Sequence, residues 1–311
     1  YVYRATPGQD LFRVADVNGT SWTNIQLVTG GNYQYAVEAY VTESGGITGP
    51  RSNTISVTLP KEPEPTDPVE AFVSRCYYTC LRRAPDTEGL AFWTNSLKNG
   101  SRTGTDVADY FVNSSEFNAL VGNDQDLFVE LLYNSLMGRN SDAEGKTHWN
   151  TCLSEGCSRT GVIRSFLLSS EFGLICEQYS IQRGGAPVHE PRDQNLDLTR
   201  FLASLYTKIL GRGYAFEGIN YWSEEILEGR ISRGDVAKSY VRSNEVVSQN
   251  HNEENYLRIL YRGFFDREAD TVGLEYWLQR IQNGQESRES SLDYFASSAE
   301  FAQIMRSYGL L

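Results

Sequence analysis

One pattern, written four times, constrains this chain more than any other feature. In each copy a Tyr is followed six residues later by an Arg, then after six by a Gly, after four by a Trp and after seven by a second Gly. The copies read Tyr77-Arg83-Gly89-Trp93-Gly100, Tyr133-Arg139-Gly145-Trp149-Gly156, Tyr206-Arg212-Gly218-Trp222-Gly229 and Tyr261-Arg267-Gly273-Trp277-Gly284. Each closes on Ser-x-Glu: Ser114/Glu116, Ser169/Glu171, Ser243/Glu245 and Ser298/Glu300. Such spacing marks a repeat array, and repeat arrays build extended surfaces by burying each unit against its neighbours.

The first copy shows how one unit folds. Residues 71–82 place Phe72, Cys76 and Leu81 on one helical stripe with Tyr77 beside it. Asp86 is placed to cap a second helix running through Trp93 to Leu97, and Gly100 ends it. Residues 105–111 make a third helix, and Ser114-Ser115-Glu116-Phe117 caps a short final turn. The Gly89 column is expected to let the Trp helix approach a neighbour closely. Copies occupy residues 69–122, 123–176, 198–250 and 251–311, and an insertion at 177–197 divides them into two pairs.

Residues 1–60 carry a different signal. Stretches at 1–4, 12–17, 21–27, 32–40 and 52–59 alternate or hold β-branched and aromatic residues, with turn signals such as Val17-Asn18-Gly19 between them. The run from Tyr33 to Tyr40 resembles the central strand of a fibronectin type III domain, with Tyr33 as its corner tyrosine. In that reading Tyr35, Val37 and Ala39 face the core. The resemblance covers only the later strands; the missing ones either precede this chain or come from another polypeptide, and without them an apolar face and a sheet edge lie open. Residues 61–68 alternate Pro and Glu, a stiff extended spacer.

The Arg-x-x-Asp-x-x-Gly-x-x-x-Trp core and the closing Ser-x-Glu-Phe resemble a bacterial domain-of-unknown-function family, number 4214, over residues 69–305. The resemblance implies a modular place in large secreted and surface proteins, sometimes beside fibronectin-like modules. It implies no established reaction. The fold expected is therefore multidomain and mainly α: a partial β-sandwich, fibronectin type III-like, followed by an all-α array of four helical repeats in two pairs.

Several function classes are disfavoured. The net charge of −12 leaves no basic stripe for nucleic acid or for an anionic membrane surface. No apolar run reaches the roughly 20 residues that membrane insertion requires. No Gly-x-Ser-x-Gly elbow, phosphate loop or Cys–His pair recurs, so no catalytic residue and no cofactor is expected, and the chain reads as a non-enzyme. Arg83, Arg139, Arg212 and Arg267 are expected to pair with Glu116, Glu171, Glu245 and Glu300, half-buried under the Trp, as scaffold rather than catalytic clamps.

Cysteine placement follows the columns. Cys76 and Cys80 fall where other copies carry Leu, Ile or Phe, so both read as core residues. Cys152 and Cys157 occupy surface columns flanking a turn, where a local disulfide and two separate thiols are both open. A zinc site on His148, Cys152, Cys157 and Cys176 has irregular spacing in one copy only, and no metal is expected.

Departures from the pattern say more than conformity. In the third copy Ala215 replaces the capping Asp, and Tyr214 and Phe216 stand where other copies hold small or polar residues. They are the candidate contact residues; the alternative is that they pack under the insertion. The functional expectation is an extracellular, cell-surface binding and adhesion module whose partner is a host protein or glycoprotein, such as immunoglobulin or mucin. The runner-up is a carbohydrate- or cell-wall-binding accessory module of a larger secreted enzyme, and a pure spacer is the weakest reading.

Overall fold

The computed structural model describes residues 1–5, 10–17, 19, 22, 24, 31–41, 47–58 and 65–311. Its N-terminal part contains β1 (Val2–Ala5), β2 (Phe12–Ala15), β3 (Asn32–Val37), β4 (Tyr40–Val41), β5 (Ile47–Thr48) and β6 (Ile55–Thr58). Four of these form an antiparallel sheet in the order β2-β1-β3-β6, while β4 and β5 pair separately. The order matches the C′-C-F-G arrangement of one sheet of an immunoglobulin-like sandwich. The strand expected over 21–27 falls mostly outside the described residues.

The sheet's register explains where the burial expectation fails. Val2 pairs with Val37, Tyr35 with Ile55 and Tyr33 with Val57, so these side chains share one face. On that face Val37 is 54% and Ile55 63% exposed, and Val57 is exposed too. Tyr33 and Ala36 are buried instead, and Ala39 is exposed, contrary to the core placement of Val37 and Ala39. On this face Val2 and Tyr33 are buried and Tyr35 is half-buried, so the face is covered unevenly.

The helical array begins at Asp67, whose carboxylate accepts from the Val69 amide while Pro68 fills the first helical position. Pro68 thus belongs to the helix and not to the 61–68 spacer, of which residues 61–64 lie outside the described set. The first copy comprises α1 (Pro68–Cys76), α2 (Thr87–Lys98), α3 (Gly104–Val112) and α4 (Ser115–Val121). The second comprises α5 (Gln125–Leu132), α6 (Ala143–Ser154), α7 (Arg159–Leu168) and α8 (Ser170–Gln178). The third runs through α9 (Leu196–Leu205), α10 (Phe216–Leu227), α11 (Arg233–Val241) and α12 (Asn244–Val247). The fourth holds α13 (Glu253–Phe265), α14 (Thr271–Gln282), α15 (Arg288–Ser297) and α16 (Ala299–Ser307). The closing segment is a full helix of 9 residues in the second and fourth copies, more than the turn its sequence suggested.

In three copies the first helix widens into one π turn at the column Tyr: Tyr77–Leu81, Tyr133–Met137 and Tyr206–Leu210. A left-handed residue then stops it, Arg82, Gly138 or Gly211, and the column Arg follows directly.

The copies pair by sharing cores. Phe72, Phe111, Phe117, Phe128 and Phe172 belong to one apolar cluster built by the first and second copies. Phe201, Phe264, Phe295 and Phe301 belong to another built by the third and fourth. Cys76, Cys80 and Cys176 are buried free thiols in the first core, where burial pushes their pKa values up and leaves them unreactive.

The segment between the pairs is a strap. It is free of α-helix from 179 to 195, because α8 ends at Gln178 and α9 starts at Leu196. Gln182 and Arg183 carbonyls accept from the Gly104 and Thr105 amides at 2.8 and 2.9 Å, so the strap caps the start of α3. Gly184 is needed there: its φ is +81° and an added Cβ would stand 2.3 Å from Thr103 Oγ1. Further on, His189 meets the buried Asp109 carboxylate at 2.9 Å.

Candidate ligand-binding site

Every copy contains the same lock. The Tyr77, Tyr133, Tyr206 and Tyr261 rings are buried and meet a third-helix ring edge-on: Phe111 at 4.8 Å, Phe166 at 4.9 Å, Tyr240 at 5.1 Å and Phe295 at 5.1 Å. The column guanidinium lies over each Tyr at 5.0, 4.8, 4.9 and 4.9 Å in chain order. From there it forks onto the closing Glu. Arg83 donates to Glu116 at 2.7 and 3.0 Å, Arg139 to Glu171 at 2.6 and 3.0 Å, Arg212 to Glu245 at 2.6 and 3.0 Å, and Arg267 to Glu300 at 2.7 and 3.4 Å.

The Arg side of each pair is exposed, while Glu171, Glu245 and Glu300 are half-buried as expected; the pairs sit over the Tyr and not under the Trp. Trp93, Trp149 and Trp222 are half-buried and Trp277 is buried. The indoles pack against the same third-helix rings from the other side, for instance Trp149 on Phe166 at 5.2 Å. An exposed ion pair contributes about 0–1 kcal/mol, so ring packing supplies the strength of the lock and the two-pronged fork its geometry. The Arg partners hold the Glu116, Glu171 and Glu245 carboxyls below their ordinary 4.5.

The Gly column belongs to this lock as well. A Cβ on Gly89, Gly145, Gly218 or Gly273 would stand 2.1, 2.2, 2.0 or 2.3 Å from the hydroxyl of its own copy's Tyr. The close approach the sequence implied is therefore internal to each copy. Asp86, Asp142 and Asp270 cap the same helix by accepting the Gly amide at 2.7, 2.8 and 2.8 Å.

The third copy gives up part of this. Ala215 leaves α10 without a side-chain cap, and Ser243 makes no cap to α12. Arg212 also lacks the acceptor that Asp142 and Asp270 offer Arg139 and Arg267 at 3.2 and 3.0 Å. In exchange the loop presents Tyr214 and Phe216, ring centroids 5.5 Å apart and planes at 64°.

That loop stands where the two pairs meet. Cys152 and Cys157 are joined in a disulfide that closes the α6–α7 turn, and both are buried, although their columns read as surface. Both belong to the core of the first pair, and α9 seats on the turn from outside. Cys157 Sγ lies 4.0 Å from the Leu196 carbonyl, and a Cβ on Gly156 would stand 2.7 Å from Ala203 Cβ and 3.5 Å from the Tyr214 ring. Ser158, buried, caps α7 and donates to the buried Asp193, and Arg200 reaches back to Glu155 at 2.5 Å. With two of its sulfurs oxidised, the His148, Cys152, Cys157, Cys176 set does not form a zinc site. Among the described residues no cluster of three His, Cys, Asp or Glu side chains could hold a metal ion.

A cleft of about 390 Å³ opens beside this joint, lined by Tyr214, Phe216, Arg159, Arg192, Asn123 and Gln125 among others. Phe216 gives one ring face to the Arg192 guanidinium at 4.4 Å and stays 52% exposed; Tyr214 is half-buried. The aromatics thus pack partly on the insertion and partly face solvent.

The protein-family comparison fits this frame. A model described as Domain of unknown function (DUF4214) matches residues 65–121, 108–175, 189–250 and 237–305, one match per structural copy. The chain belongs to the DUF4214 family. The second and fourth DUF4214 matches begin inside the third helix of the preceding copy, within each core-sharing pair. No curated protein matches the chain.

Two residues of the cleft were invisible to the repeat comparison. Arg192 lies in the insertion, which has no column to compare it with. Arg159 opens α7 as an ordinary polar residue, and only the meeting of the second and third copies brings it to the same cleft as Phe216. The Glu190-Pro191-Arg192-Asp193 cluster was the one available signal, since a short helix there must be capped: Asp193 accepts from the Glu190 amide at 3.1 Å.

Proposed function

We propose that this chain is an extracellular, non-catalytic adhesion module of a bacterial surface or secreted protein, and that it holds a mucin-type host glycoprotein at the cleft beside Tyr214 and Phe216. One observation carries the reading. The single loop that breaks the four-fold pattern, and loses a helix cap by doing so, places a half-exposed aromatic pair at the rim of a concave surface. Packing on Arg192 and at the Gly156 joint accounts for part of this change, and the remaining exposure of Phe216 is what a contact role would explain. The disulfide supports an oxidising, extracellular setting. Exposed Phe92, Tyr221 and Tyr276, each preceding a column Trp, offer further contact area on the outer faces for a large partner.

A concave cleft that combines aromatic rings with Arg and amide side chains suits a glycan better than a flat protein surface. It equally favours the second reading, a carbohydrate- or cell-wall-binding accessory module of a larger secreted enzyme. The whole chain, wild type and Tyr214→Ala/Phe216→Ala, should be passed over immobilised mucin, immunoglobulin G and purified bacterial cell wall. Retention on mucin that falls at least roughly tenfold in the variant is the expected result. Binding to cell wall alone transfers the function to the second reading, and equal retention of both proteins removes Tyr214 and Phe216 from it.

A further inference from the structure

We infer that the cleft is a subsite for a carboxylate-bearing pyranose, a uronic acid or similar acidic sugar. The inference rests on the glycan-binding reading above and adds the chemistry of the sugar. The chain carries 40 acidic against 28 basic residues, yet the lining of this cleft contains Arg159 and Arg192 and no Asp or Glu. In a protein of this charge, a concavity with two cations and no carboxylate on its wall favours an anion, even with Glu190 paired to Arg192.

Arg192 is the anchor of that wall. Its side chain is only 8% exposed, its Nε is held by Glu190 at 2.5 Å, and its Nη1 is buried with no acceptor in the protein. A buried charged donor left unpaired is unfavourable, and turning the guanidinium outward onto a ligand oxygen in the cleft would relieve that. A carboxylate suits the planar fork of an Arg better than a hydroxyl does. Arg159 supplies the second positive charge, its own Nη1 fixed on the Gly122 carbonyl at 2.8 Å.

The rest of the cleft fits the ring and not merely the charge. Tyr214 and Phe216 stand at 64° to one another, an L-shaped aromatic wall against which the C–H face of a pyranose packs. Asn123 and Gln125 bring amide donors and acceptors to the rim, matching ring hydroxyls. The volume of about 390 Å³ lies near the small end of the range for small-molecule sites, about 300–1,000 Å³. That is room for one or two sugar units.

The test titrates the whole chain with glucuronic acid, glucose and inorganic phosphate, followed by NMR shifts or calorimetry. Glucuronic acid should bind at least roughly tenfold more tightly than glucose, the difference expected of a charge-assisted hydrogen bond. Phe216→Ala should weaken it by a similar factor, with an unchanged circular dichroism spectrum showing that the fold is kept; Arg192→Lys, which retains charge without the fork, should weaken glucuronic acid and leave glucose unaffected. Equal binding of glucose overturns the carboxylate, equal binding of phosphate overturns the sugar, and an unresponsive Phe216→Ala or no binding at all overturns the subsite. Mucin retention that depends on Tyr214 and Phe216 without glucuronic acid binding would sink this inference and leave the adhesion reading standing, and the reverse pattern would do the opposite.

Discussion

Gly218→Ala should lower the stability of the second helical pair by about 2 kcal/mol, although Ala is the better helix former by about 1 kcal/mol. The sign is set by space. The new Cβ would stand 2.0 Å from the Tyr206 hydroxyl and 3.3 Å from its ring carbon. Tyr206 is buried, edge-on to Tyr240 at 5.1 Å and covered by Arg212 at 4.9 Å, so its stiff ring has nowhere to retreat. Removing the hydroxyl should restore the room: Tyr206→Phe/Gly218→Ala should recover most of the loss in denaturant unfolding. If Gly218→Ala alone were as stable as wild type, the column glycine would not be required by the Tyr, and the lock would need another explanation.

Loss of the disulfide is the second large effect. Cys152 and Cys157 are five residues apart, and closing so short a loop stabilises by about 2 kcal/mol in the chain-entropy estimate. Cys152→Ala/Cys157→Ala should therefore lower the unfolding temperature of the first pair, whose core holds both residues. The second pair has its own core and should keep its transition. Calorimetry resolves the two: one transition moves and the other stays. Both moving by the same amount would mean that the joint through Gly156, Ala203 and Tyr214 couples the cores into one cooperative unit.

Most of the array was legible in the sequence, and the reason is mechanical. A Tyr that must be roofed by an Arg and faced by a Gly repeats wherever the same three helices meet, so the demand is written into each copy at fixed spacing. The helices, their Asp and Ser caps and the Arg–Glu pairs all follow from that demand. What the columns cannot carry is anything made once. The strap at 179–195 has no counterpart, so Arg192 had no expected place. Cys152 and Cys157 read as surface by their columns, yet both join the core of the first pair, and α9 of the third copy adds cover over Cys157. In the N-terminal sheet the alternation of β3 is clear, but which residues are covered depends on what packs on the sheet: on one face Tyr33 is buried while Val37 is exposed. Tyr214 and Phe216 stood out because a repeat makes its exceptions visible; the cleft beside them did not, since its other wall comes from residues distant in the chain.

On the proposed function, the third copy exchanges local stability for a binding surface. Restoring its loop to the fourth copy's Ala269-Asp270-Thr271, as Tyr214→Ala/Ala215→Asp/Phe216→Thr, tests both halves at once. The new Asp should cap α10 and give Arg212 the acceptor it lacks, raising the stability of the second pair by about 1 kcal/mol, while retention on mucin is lost. A variant that is no more stable, or that still binds mucin as the wild type does, would contradict the claim.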